Sequence, residues 1–199
     1  MNTQTAELAA AAARLVVEEG LEYASAKRKA ARRIGRTALP SNEAVEAEVR
    51  AYLSLFCAET QPSELLALRR LALRWMVRLA AFRPHLGGAA WRGTATRLSN
   101  LHLDLYCDDP KALEIELINQ GVAYDGHSLP SAGRGGHGEP VSLLTIADRC
   151  PEFSDTVTLH LAVHDLDDLR GALKADPQGR SWRGDAHALR QRLDEAVSP

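Results

Sequence analysis

Two short runs carry histidine and aspartate on alternate positions. Ser99 to Tyr106 reads SNLHLDLY, and Thr156 to His164 reads TVTLHLAVH. In the first, Leu101, Leu103 and Leu105 alternate with Asn100, His102, Asp104 and Tyr106. In the second, Val157, Leu159, Leu161 and Val163 alternate with Thr158, His160 and His164. Residues i and i+2 of a strand point to the same side, so each run predicts a strand with one apolar and one polar face. His102 and Asp104 then share a side, as do His160 and His164. Imidazole nitrogens suit zinc, nickel or copper, whereas carboxylates suit magnesium. A third group is cationic: Lys27, Arg28, Lys29, Arg32, Arg33 and Arg36. Arg28–Arg32 and Lys29–Arg33 are i,i+4 pairs, which puts much of this charge on one helix side. Such a run either contacts phosphate, in RNA or in a nucleotide, or is a solvated face pairing with Glu18, Glu19 and Glu22. Cys57, Cys107 and Cys150 show neither a CxxC pattern nor a histidine at catalytic spacing. They predict a reducing, cytoplasmic setting, with Cys57 and Cys107 as buried thiols.

These groups must be positioned by an α+β chain. Thr5 to Val17 is rich in alanine and leucine, which favour helix, and Gly20 is a natural stop. Tyr23 to Ile34 predicts a second helix ending at Gly35. A third is capped by Ser41 or Asn42 and carries Val45, Val49, Leu53 and Phe56 on one face. A fourth opens at Pro62 and Ser63, with broad apolar coverage, and ends at Pro84. Beyond it come the strand over Ser99–Tyr106, a helix from Asp109-Pro110 to about Asn119, and strands over Val141–Ile146 and Thr156–His164. Asp165–Leu173 and Asp185–Ala196 predict two more helices. Gly126 to Gly138 holds too many glycines for a regular element and reads as a loop. The expected architecture is an all-helical region over residues 1–61, then an α+β unit over 62–199 with a small mixed sheet of three to four strands.

One stretch joins the fourth helix to the first strand: Gly88 to Leu103, GAAWRGTATRLSNLHL. It resembles the signature of the polymerase-β-like, minimal nucleotidyltransferases: a Gly-Ser turn, an Arg-Gly, then Ser-Asp-x-Asp on a strand. The register matches without a gap, with Gly88 at the first glycine, Arg92-Gly93 at the Arg-Gly and Ser99 at the serine. The resemblance covers roughly residues 62–165. It implies a nucleotidyltransferase-like fold, a nucleoside triphosphate as partner, and Gly88, Arg92, Gly93 and Ser99 as its pocket. It also implies two-metal chemistry in which paired carboxylates hold Mg²⁺. Here Ala89 stands in place of the serine, and Asn100 and His102 in place of the two aspartates. Ordinary Mg²⁺-dependent transfer is therefore not expected. The family's third carboxylate comes from a later strand, where this chain offers His160. His102, Asp104 and His160 thus stand as a two-histidine, one-carboxylate set for a divalent ion, against the plainer reading of a solvated sheet face.

Composition narrows the classes. The chain has 199 residues, is 45% hydrophobic and 25% charged, and suits one domain with a helical appendage. Aromatics make up 5%, so aliphatic side chains and alanine must build the core. The net charge of −2 excludes a bulk electrostatic drive toward nucleic acid. Residues 1–85 carry 13 Lys+Arg against 9 Asp+Glu, and residues 86–199 carry 11 against 17, so +4 and −6 make up the −2. Glu7 and Arg14 interrupt the apolar N-terminal run, which is read as a helix rather than a signal peptide, and no apolar run spans a bilayer. The alternative to a nucleotide-binding domain is a regulatory module that holds a protein or RNA partner through its basic N-terminal helices.

Overall fold

A computed structural model describes residues 3–34, 38–128, 142–174 and 179–197. The chain forms two compact units, residues 1–65 with 94–99, and residues 66–93 with 100–199. The expected boundary at 61/62 falls four residues earlier than this division, which also returns Thr94–Ser99 to the first unit.

The first unit is built on α1 (Thr3–Glu19), α2 (Tyr23–Ile34) and α3 (Asn42–Phe56). Leu8, Ala12, Leu15, Ala26, Val45 and Val49 form its core, where alanines let the helices approach closely. Gly20 ends α1 at φ +66°, and a Cβ there would lie 2.5 Å from the Leu98 carbonyl oxygen, so only glycine fits. Ser41 caps α3 by accepting from the Ala44 amide at 3.1 Å. The Thr94–Ser99 segment is held by Gln61, whose Nε2 donates to the Ala95 carbonyl at 2.9 Å. The Arg97 amide donates to Glu64 at 3.0 Å. On α2, Lys27 reaches Asn42 and the Pro40 carbonyl, and Lys29 pairs with Glu19. Arg28, Arg32 and Arg33 are exposed.

The second unit contains a five-stranded mixed sheet in the order β1-β2-β5-β4-β3. The strands are β1 (His85–Gly87), β2 (Leu101–Tyr106), β3 (Tyr124–Ser128), β4 (Ser142–Cys150) and β5 (Asp155–His164). β2 runs parallel to β5, and the other pairs are antiparallel. Helix α4 (Gln61–Arg78) enters this unit at Leu66, and α5 (Gly88–Arg92), α6 (Pro110–Asn119), α7 (Leu169–Ala172) and α8 (Ala186–Val197) belong to it. Leu101, Leu103 and Leu105 of β2 are fully buried, as are Leu159, Leu161 and Val163 of β5. Leu68, Leu71 and Met76 of α4 and Leu113 and Leu117 of α6 are buried too. Each such side chain contributes about 1.5–3 kcal/mol on leaving water. Trp75 of α4 donates to Asp148 of β4 at 2.7 Å. The expected caps hold: Asp109 accepts from Lys111 at the start of α6, and Gly121 follows its end at φ +67°.

The sheet is larger than the expected three to four strands, because β1 and β3 carry no alternation that the sequence could display. Gly126, His127 and Ser128, expected in a loop, belong to edge strand β3. A Cβ on Gly126 would lie 2.8 Å from Leu144, so glycine permits the close pairing. The rest of the glycine-rich stretch lies outside the described residues. α4 stops at Arg78, with a 3-10 turn over Ala80–Phe82 before Pro84. The single helix expected over Asp165–Leu173 is a 3-10 turn, Leu166–Asp168, followed by the one-turn α7. Cys57 and Cys107 are partly exposed rather than buried; Cys150 is buried. Among the described residues no helix is long and apolar enough to cross a membrane.

Candidate functional site

Strand register does most of the positioning. Across β1 and β2, His85 pairs with Asp104 and Gly87 with His102. Across β2 and β5, His102 pairs with His160 and Tyr106 with His164. Thr145 of β4 pairs with His160. Directly paired residues share a face. Four of the chain's seven histidines therefore stand on one side of the sheet with Asp104 and Tyr106.

That face has an open end and a closed one. At the open end the half-buried rings of His102 and His160 lie 5.1 Å apart, tilted by 34°. His160 Nδ1 is 3.2 Å from the Thr145 hydroxyl. Gly88, at φ +62°, presses on His102, where a Cβ would come within 3.1 Å of Cδ2. Both the left-handed backbone and the close approach require glycine.

At the closed end Tyr106 stacks on His164 at 5.2 Å, and His85 meets Tyr106 edge-on at 5.4 Å. All three are buried. Asp104 stands between the ends. Its Oδ1 lies 3.0 Å from His164 Nε2, and its Oδ2 lies 3.0 Å from the Arg183 guanidinium. A carboxylate only accepts, so His164 carries a proton on Nε2. Arg183 also donates to the Tyr106 hydroxyl at 2.9 Å. It arrives on the segment Ser181–Gly184, which is fixed at three points. Gly184 exchanges two backbone hydrogen bonds with Leu86, at 2.8 and 3.0 Å, and Trp91 Nε1 donates to the Ser181 carbonyl at 2.9 Å.

Burial holds the His85 imidazole below its ordinary pKa, partly offset by its hydrogen bond to the Arg83 carbonyl. Burial likewise pushes the Tyr106 phenol up. The folded state therefore binds a proton at His85 less readily than the unfolded chain does. Its contribution to stability is intact above the ordinary histidine value of 6.5 and is lost as pH falls below it. In urea titrations at stepped pH, His85→Gln is expected to lose less stability than the wild type between about pH 6.5 and 5. Equal losses would remove His85 from the acid response.

The residues expected to line a pocket are partly brought together. Gly88 opens α5, Gly93 closes it at φ +84°, and Arg92 lies 4.2 Å from the centre of the Trp182 ring. Ser99 belongs to the first unit, where its hydroxyl accepts from the Thr96 amide at 3.0 Å and closes a local turn. The expected ligand set is divided. His102 and His160 stand side by side, whereas Asp104 is turned to His164 and Arg183. Among the described residues no three His, Cys, Asp or Glu side chains are grouped so as to hold a metal ion. Magnesium does not fit this donor set, because Asn100 and His102 bring no carboxylate and the one carboxylate faces a guanidinium. His85 and Arg183 were not signalled by spacing, since each reaches the face through long-range pairing.

No protein-family model, curated protein or solved structure matches this chain.

The face must then be read from its own chemistry. It offers two neighbouring imidazoles beside a glycine turn, and a half-buried carboxylate that anchors an arginine-bearing segment.

Proposed function

We propose that the second unit is a divergent nucleotidyltransferase-like domain that keeps a nucleotide-binding turn and lacks Mg²⁺-dependent transfer. The observation that supports this is the packing of Gly88, at positive φ, against His102, whose ring lies 5.1 Å from that of His160. These are the turn and the two strand positions at which the family's motif sets its phosphate contact and its acids. Imidazoles at those positions remove the charges that would hold magnesium, while Gly88 keeps the left-handed turn. The partner is a nucleoside triphosphate, with Arg92 and Gly93 closing the short helix that Gly88 opens. Three free cysteines accord with a cytoplasmic setting.

Calorimetric titration with ATP, GTP, CTP and UTP, with and without Mg²⁺ or Mn²⁺, tests this. At least one is expected to bind with a dissociation constant below about 1 mM, and Arg92→Ala to weaken it by about tenfold. Binding is expected to be indifferent to magnesium. Absence of heat for all four ends the nucleotide reading. A second reading rests on the exposed Arg28, Arg32 and Arg33 of α2. It assigns the chain a regulatory role in holding RNA or an acidic protein. That role requires salt-sensitive binding that survives Arg92→Ala and disappears when the three arginines are replaced together.

A further inference from the structure

Away from the histidine face, two cations meet without an acid. Arg69 of α4 donates through Nε to the Ala90 carbonyl at 2.9 Å and through Nη2 to the Trp91 carbonyl at 3.3 Å. Arg192 of α8 donates to that same Trp91 oxygen, and its guanidinium lies 3.6 Å from the centre of the Trp91 ring. Capping explains the first arginine, because Arg69 alone reaches both carbonyls at the end of α5. It does not explain the second, which takes the remaining lone pair of the Trp91 oxygen and sets a like charge beside Arg69. Among the described residues neither guanidinium has a carboxylate within ion-pair distance. Glu195 acts on Arg192 only as a more distant charge. The strain registers on Arg69, whose pKa is pushed down to about 10, by burial first and by Arg192 second.

Two half-buried guanidiniums facing one oxygen, one of them held against an indole, are a pre-oriented pair of forks. Such forks match a tetrahedral oxyanion. We propose that Arg69 and Arg192 form a phosphate-binding site, in which a phosphoryl group supplies the counter-charge that the chain itself does not. The site lies at the opposite end of α5 from Gly88 and does not depend on the nucleotide reading.

Titration of the full chain with inorganic phosphate, pyrophosphate and ATP, followed by calorimetry and tryptophan fluorescence, tests the site. Pyrophosphate is expected to bind saturably, to shift tryptophan emission through Trp91, and to raise the melting temperature. Arg192→Gln is expected to weaken it by about tenfold or more, and Arg192→Lys less, since an ammonium keeps the charge without the fork. Arg74→Gln, at an exposed position of α4, removes the same charge and is expected to leave affinity unchanged. Circular dichroism confirms that each variant folds. ATP binding more tightly than pyrophosphate would assign the phosphoryl group to a nucleotide; equal affinity would assign it to free phosphate. No saturation by phosphate or pyrophosphate up to about 10 mM overturns the site, as does unchanged affinity in Arg192→Gln. Nucleotide binding that persists in Arg192→Gln while pyrophosphate binding is lost supports the arginine pair and assigns the nucleotide to the separate Gly88 turn.

Discussion

Gly184→Ala is expected to destabilise the second unit by about 3 kcal/mol or more, at the upper end of what overpacking costs. A Cβ on Gly184 would lie 2.0 Å from Cη2 of Trp91, 2.5 Å from Cζ3 and 2.6 Å from Cζ2. Neither side can yield cheaply. The Trp91 ring is 3% exposed, bonded through Nε1 to the Ser181 carbonyl, and lies beneath Arg192. The Gly184 backbone is fixed to Leu86 by two hydrogen bonds. Relief requires the Ser181–Gly184 segment to lift, which also draws Arg183 from Asp104 and Tyr106. Thermal unfolding should register a fall of roughly 10 °C. Gly121→Ala is the control, because no heavy atom lies within 4 Å of its Cβ and only the φ of +67° opposes it. That cost is about 1 kcal/mol. If Gly184→Ala melts no lower than Gly121→Ala, the indole is not the obstacle described.

The contrast between these glycines shows what the sequence could and could not display. Gly121, Ser41 and Asp109 act on their own neighbours along the chain, so the helix ends they set were legible. The alternation of Leu101, Leu103 and Leu105 was legible because a strand buried on one face must repeat every second residue. Gly184 and Gly126 act on Trp91 and Leu144, and nothing in their local sequence announces those partners. The same distinction divides the candidate site. The polar sides of β2 and β5 that carry His102 and His160 were legible because alternation decides the face. Their direct pairing follows from the parallel register of β2 and β5, which alternation does not specify. Asp104 looked equally available as a ligand. Its fate depends on Arg183, which arrives from a segment that shares no periodicity with β2.

Asp104→Asn is therefore expected to cost stability, about 2–3 kcal/mol in urea unfolding. Breaking a buried ion pair costs about 3–5 kcal/mol. The lower figure reflects the partial exposure of these side chains, 20% for Asp104 and 30% for Arg183, which lets solvent screen the charge left behind. Asparagine keeps the shape and one oxygen, so the loss reports charge rather than volume. It leaves the Arg183 guanidinium without its carboxylate and His164 Nε2 with a weaker acceptor. Arg183→Met in the Asp104→Asn background is expected to recover part of the loss, because the uncompensated cation goes with it. The two substitutions should couple by at least about 0.5 kcal/mol in a double-mutant cycle. Additive effects would mean that the contact contributes nothing of its own. Chelator discriminates between the two roles open to this carboxylate. As an anchor for Arg183, Asp104 predicts that EDTA leaves wild-type unfolding unchanged. A melting temperature that falls on chelation in the wild type, but not in Asp104→Asn, would return the residue to the ligand set that its position beside His102 suggests.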